Sequence, residues 1–81
     1  MLDKTVFSEQ IQRLVIEYGD KGFSMSKERA SQWYEFFKIF SEGKLRDMIT
    51  DCLVNVSHSP TMADILKFRS NPTRNPYRKV D

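Results

Sequence analysis

The chain has 81 residues, a formal net charge of +2, one cysteine and a hydrophobic fraction of 40%. This length allows at most one small domain, and so weak a positive charge does not by itself predict a nucleic-acid-binding protein. The lone Cys52 excludes an internal disulfide. With no secretory signal and no apolar run near the ~20 residues of a membrane span, we expect a soluble cytoplasmic protein.

Residues 4–18 are predicted to form the first helix. Their apolar side chains recur at the spacing of one buried helical face; they are Phe7, Ile11, Leu14, Val15 and Tyr18. Asp3 is placed to cap the start of this helix, and Gly19 is predicted to end it in the left-handed conformation. Residues 19–25 are a predicted connector, from which Phe23 and Met25 enter the core.

A second helix is predicted over residues 27–40, with Ser26 as its N-cap. Its apolar side chains fall on one face; they are Ala30, Trp33, Phe37 and Phe40, with Tyr34 and Phe36 widening that face on either side. So many aromatic residues predict a helix that packs against neighbours on more than one side.

The third predicted helix, roughly residues 42–56, has the most regular apolar pattern of the chain. Its buried stripe follows the i, i+3, i+4, i+7 rule without a miss; it comprises Leu45, Met48, Ile49, Cys52, Leu53 and Val56. The opposite face is predicted to be solvated; it comprises Arg46, Asp47, Thr50, Asp51 and Asn55.

A polar break precedes a short fourth helix, predicted over about residues 62–69. Thr61 is its expected N-cap, and Asp64 stands three residues later, where a capping box needs an acceptor. The buried edge is Met62, Ile65 and Leu66. The predicted fold is therefore all-α, a compact bundle of four short helices over residues 1–69.

From residue 70 to residue 81 the composition changes, with two Asn-Pro steps and three positive side chains against one negative. This composition predicts a disordered basic tail. It is either a chain end without a role or an arm that orders on a partner protein or on single-stranded nucleic acid. Because tyrosine and arginine dominate many protein contacts, the predicted partner-binding residues are Arg74, Tyr77, Arg78 and Lys79.

Groups that could act together in catalysis are sparse in this sequence. His58 is the only histidine and lies in a polar loop, while Cys52 lies on an apolar stripe where a buried structural thiol is expected. Zinc sites usually need four Cys or His ligands, and Asp47 and Asp51 are predicted to be a solvated pair. No glycine-rich phosphate loop is present. We expect no enzyme activity, no cofactor and no metal site.

The second and third predicted helices, joined by a short turn, could form a helix-turn-helix. A small phage or plasmid DNA-binding regulator that uses helix 42–56 is therefore an alternative. However, Asp47 and Asp51 on the face that would read the bases would repel phosphate. Direct binding to nucleic acid is for this reason not the expected function.

Two sequence blocks resemble the phage replicative-helicase loader and inhibitor family, of the type known from a Bacillus phage. The first is Trp-Tyr-Glu-Phe-Phe at residues 33–37, similar to that family's Trp-Tyr-x-x-Phe helix. The second is Pro-Thr-Met-Ala-Asp-Ile at residues 60–65, similar to its Pro-Thr-Ile-Ala-Glu-Ile. The similar stretch covers residues 28–68, about half of the chain, and includes the spacing between the blocks.

The resemblance implies a small helical phage DNA-replication accessory protein in the cytoplasm of a bacterial host, and we expect it to be a monomer. Its partners would be the host's hexameric replicative helicase and an origin-binding initiator protein. The matching residues are core and capping positions and identify no interface; they are Trp33, Phe37, Pro60, Thr61 and Ile65. Family members engage the helicase through a long flexible C-terminal region, whereas the tail here is short and basic, which leaves a pure inhibitor open beside a loader. An inhibitor of an unrelated bacterial enzyme would share the same sequence features.

Overall fold

A computed structural model describes residues 2–70. Within this range the chain forms four α-helices and no strand, which confirms the predicted all-α bundle. The helices are α1 Lys4–Tyr18, α2 Lys27–Phe37, α3 Glu42–Asn55 and α4 Met62–Leu66, and a short 3₁₀ helix, Gly19–Lys21, follows α1. The predicted tail from residue 71 onward lies outside the described residues.

Each α-helix begins at a side chain that accepts a hydrogen bond from an early backbone N–H; these caps are Asp3, Ser26, Ser41 and Thr61. The Thr61 cap is reciprocal, because the Asp64 carboxylate accepts from the Thr61 backbone N–H at 2.9 Å. The predicted capping box is thus confirmed. Such caps matter because the first N–H groups of a helix have no partner within it.

The predicted helix ends were less accurate than the starts. α1 ends at Tyr18 as predicted, but Gly19 is right-handed and begins the 3₁₀ helix, while the left-handed residue is Gly22 at φ 92°. The other three helices end one to three residues early, at Phe37, Asn55 and Leu66. After α2 and α4 the chain continues in tighter i→i+3 turns, which satisfy the last carbonyls and redirect the backbone.

Helix α3 lies at the centre of the core. Four side chains on its predicted stripe are fully buried; they are Leu45, Met48, Ile49 and Cys52. Helix α3 packs against both α1 and α4. Arg13 contacts Thr50, and Tyr18 contacts Cys52 and Val56, so α1 and α3 run in the same direction.

Helix α2 reaches the core through aromatic rings. Phe7 of α1 meets the rings of Tyr34 and Phe37 at centroid distances of 5.4 and 6.4 Å. Trp33 is buried between Phe23 and Phe37, at 6.0 and 5.9 Å. Such edge-on and tilted contacts are the favoured geometries of aromatic pairs, so α2 is held mainly by its large side chains.

Leu2 forms hydrogen bonds that connect the segment before α1 to the end of α2. Its backbone N–H donates to the Lys38 carbonyl at 3.2 Å, and its carbonyl accepts from the Tyr34 hydroxyl at 2.6 Å. The Leu2 side chain is buried in the core. This contact has no counterpart in the sequence pattern, because backbone hydrogen bonds leave no periodic signal in a sequence.

Candidate protein-binding surface

The partner-binding residues predicted from sequence lie outside the described residues; they are Arg74, Tyr77, Arg78 and Lys79. The residues that carry the family resemblance are all described, and all serve the fold. Trp33, Phe37, Pro60 and Ile65 are buried, and Thr61 caps α4. The interpretation of these positions as core and capping residues is confirmed.

Tyr18 and Cys52 form a buried polar contact at the end of α3. The Tyr18 hydroxyl lies 2.7 Å from the Val56 carbonyl and 3.0 Å from the Cys52 carbonyl, so it can donate to either. Burial, and then the nearby Cys52 thiol, raises the pKa of Tyr18 well above its usual value. Burial also raises the pKa of the Cys52 thiol. Cys52 is thus the structural thiol that the sequence predicted.

The prediction of a fully solvated outer face on α3 was wrong for three residues, of which Asp47 is half-buried. Asp51 is only 2% exposed, and Thr50 is half-buried and accepts a hydrogen bond from Arg13 at 3.0 Å. The same guanidinium donates to the buried Gln10 at 2.8 Å, so it bridges α1 and α3. The pair Asp47 and Asp51 is therefore not a solvated pair, because the packed part of α3 is wider than its apolar stripe.

His58 lies at the surface, as predicted, and its Nε2 is 3.3 Å from the Asp64 carboxylate. The hydrogen bond from the Thr61 backbone N–H, followed by that to His58, lowers the pKa of Asp64. This contact belongs to the start of α4 and is explained by capping. Among residues 2–70, no three His, Cys, Asp or Glu side chains are grouped so as to hold a metal ion.

Four large apolar side chains are exposed on the described surface: Ile16, Phe36, Ile39 and Val54. Phe36, in the last turn of α2, and Ile39, in the i→i+3 turn that follows it, are 52% and 78% exposed and stand three residues apart, a spacing that makes side chains neighbours in such turns. We call Phe36 and Ile39 the α2 patch. The prediction that Phe36 would widen the buried face of α2 was wrong, because α2 packs through its other aromatic side chains.

An open hollow of about 400 Å³ adjoins the α2 patch. Its lining residues come from the chain start and from the turn between α2 and α3; they are Leu2, Ile39, Phe40, Ser41 and Glu42. A second shallow groove, of about 350 Å³, runs between α1 and the connector before α2, with Phe7, Ile11 and Phe23 among its lining residues. Of the two, only the hollow has a strongly exposed apolar side chain in its wall.

No family model, curated protein or solved structure matches this chain. Across residues 2–70, no helix combines the length and the apolar character that crossing a bilayer requires. The candidate surface, the α2 patch with the adjoining hollow, is therefore identified from the exposure, shape and charge of its residues.

Proposed function

We propose that this chain is a non-enzymatic replication accessory protein of a phage, which binds the hexameric replicative helicase of its bacterial host. It would act as a loader or an inhibitor of that helicase. The observation that supports this proposal most is that both sequence blocks behind the resemblance take structural positions in one small helical domain. Trp33 and Phe37 of the first block and Ile65 of the second belong to the same hydrophobic core.

The charge distribution favours a protein partner for the helical domain. Residues 2–70 contain ten Lys and Arg and ten Asp and Glu, so their formal net charge is zero. The whole excess of +2 comes from residues 71–81. Since duplex binding depends largely on Lys and Arg contacts to phosphate, a neutral domain with exposed apolar side chains is better suited to protein contacts.

The alternative, a DNA-binding regulator that uses α3, receives less support. Of the outer side chains of α3, Asp51 is buried and Thr50 is engaged by Arg13. The strongly exposed positions include Arg46 and the apolar Val54. A recognition helix needs several polar side chains that reach base edges, and α3 offers few of them.

The proposal is tested by a pull-down with the purified helicase hexamer, together with assays of its ATPase and unwinding activities. We expect the full chain to bind and to change unwinding. Deleting residues 71–81 should weaken binding and leave the helical circular dichroism and the melting temperature unchanged. The matched control replaces Asn71, Thr73 and Asn75 by serine and keeps the charged and aromatic tail residues.

Full-strength binding by the deletion variant would refute the role of Arg74, Tyr77, Arg78 and Lys79. Absence of helicase binding by the full chain would refute the proposed function itself. A gel shift at two salt concentrations separates the alternative, since duplex binding that weakens steeply with salt would favour the DNA-binding regulator.

A further inference from the structure

We propose that the α2 patch and the adjoining hollow form a docking surface for an amphipathic helix of a partner protein, with basic residues flanking its apolar face. All residues of this surface belong to the part of the chain that the structure describes, residues 2–70. The inference concerns the chemistry of the partner and does not require that the partner be the helicase.

The first argument is that the two patch residues contribute little to the fold. Their neighbours carry the packing of α2: Trp33 and Phe37 are buried, and Tyr34 reaches the Leu2 carbonyl. Phe36 and Ile39 face outward at the same end of the helix. The pair is a small apolar patch that includes an aromatic ring, and aromatic residues are enriched at the centres of binding surfaces.

The shape of the region suits a helix. The open hollow is lined by Ile39, by Leu2 and by the start of α3 at Glu42. Exposed apolar side chains next to a hollow can accept a helix that presents apolar side chains at i, i+3 or i+4, and i+7. One partner side chain would enter the hollow while its neighbours pack against Phe36 and Ile39.

The area of the patch argues against a second copy of this chain as the occupant. From their exposed fractions, Phe36 and Ile39 offer only about 250 Å² of surface, whereas stable interfaces bury about 800 Å² on each partner. A stable dimer would therefore need much more surface than the patch provides. A transient contact with a single partner helix needs less buried surface than a stable dimer does.

The charged side chains near the hollow indicate which charge the partner helix should carry. Glu42 lines the hollow, is exposed, and makes no ion pair or hydrogen bond with another side chain among residues 2–70. Glu35, on the preceding turn of α2, forms a 2.9 Å ion pair with Lys38, so these two charges offset each other. The Glu42 carboxylate in the wall of the hollow therefore favours Lys or Arg on the partner.

The experiment uses the full ¹⁵N-labelled chain and a designed helical peptide of about 15 residues, with leucines on one face and lysines on both flanks. We expect chemical-shift changes concentrated at Phe36, Ile39, Phe40 and Glu42. The double variant Phe36→Gln, Ile39→Gln should bind at least about tenfold more weakly, as expected for central apolar anchors. Glu42→Gln should weaken binding about twofold to fivefold, in the range of an exposed ion pair.

The chain offers a matched control in Ile16→Gln, Val54→Gln. These residues are 75% and 72% exposed and lie on α1 and α3, so the substitutions remove similar apolar surface elsewhere. The control variant should bind the peptide like the original chain, and circular dichroism should show that both double variants are folded. Equal weakening by the two double variants would overturn the proposal, because it would mean nonspecific hydrophobic adsorption.

Two further outcomes would also overturn it. One is concentration-dependent dimerisation in analytical ultracentrifugation that is abolished by Phe36→Gln, Ile39→Gln, since the occupant would then be a second copy. The other is shift changes confined to the groove around Ile11 and Phe23. Because the peptide assay contains no helicase, its failure and the failure of helicase binding are distinguishable.

Discussion

Replacing Tyr18 by phenylalanine tests how the end of α3 is held to α1. The ring remains in place, and only the hydroxyl, 2.7 Å from the Val56 carbonyl and 3.0 Å from the Cys52 carbonyl, is removed. The Cys52 carbonyl also accepts the Val56 backbone N–H at 2.8 Å, so the group that loses most is the Val56 carbonyl. A lost hydrogen bond at a buried carbonyl costs about 1–2 kcal/mol.

For a domain of this size, that loss corresponds to a decrease in melting temperature of about 5–15 °C. Urea unfolding followed by the fluorescence of the buried Trp33 measures it, with circular dichroism as the second probe. Tyr34→Phe is the control: its hydroxyl bonds the Leu2 carbonyl at a half-buried site, so a smaller loss is expected. A Tyr18→Phe protein as stable as the original chain would refute the assignment.

Tyr18 also predicts that the free energy of unfolding decreases at alkaline pH. Because burial raises the pKa of Tyr18 in the folded protein, the unfolded chain loses its proton first, near pH 10. The stabilisation is therefore complete below pH 10 and is lost as pH rises above it, by up to about 1.4 kcal/mol per pH unit. Tyr18→Phe should show a shallower loss of stability above pH 10. Identical alkaline slopes for the two proteins would contradict this reasoning.

Three further predictions concern single side chains. Phe37→Ala should cost about 3–5 kcal/mol in urea unfolding because Phe37 is 1% exposed, whereas Phe36→Ala should change stability by less than about 0.5 kcal/mol; similar costs would contradict the described packing. Cys52, buried and with its pKa raised by burial, should react with a thiol reagent only at the rate of unfolding, and fast labelling under native conditions would disprove its burial. Because the pKa of Asp64 is lowered in the folded protein, its carboxylate stabilises the fold above about pH 4, and this stabilisation is lost below that pH. When the proteins are titrated with acid and followed by circular dichroism, Asp64→Asn should lose less stability than the original chain. An unchanged titration would contradict the capping box.

The sequence predicted the helix starts well because a cap is a local feature. Ser26 and Thr61 are short polar residues directly before apolar periodic segments, and each accepts the hydrogen bond expected of it. The core of α3 was predicted for a similar reason, since its stripe is regular over several turns. Information within a few residues was sufficient in both cases.

The predictions from sequence were wrong where contacts between residues far apart in the chain determine which side chains are buried. Asp51 is buried although it stands on the polar face of α3, because the buried part of that helix is wider than its apolar stripe. Phe36 is exposed although it is aromatic, because Trp33 and Phe37 already fill the space between α2 and the rest of the core. The off-stripe apolar pair at 36 and 39 was visible in the sequence and could have suggested a binding surface.

The attachment of Leu2 to the end of α2 has a practical consequence for any tagged version of this protein. Leu2 lines the hollow beside Ile39, so a fusion partner placed ahead of it would emerge next to the α2 patch. Immobilising the protein by that end would shield this surface from a soluble partner, and a negative capture result would then reflect the linkage. A long spacer, or attachment through an engineered thiol at an exposed position of α3 such as Arg46, would leave the patch accessible.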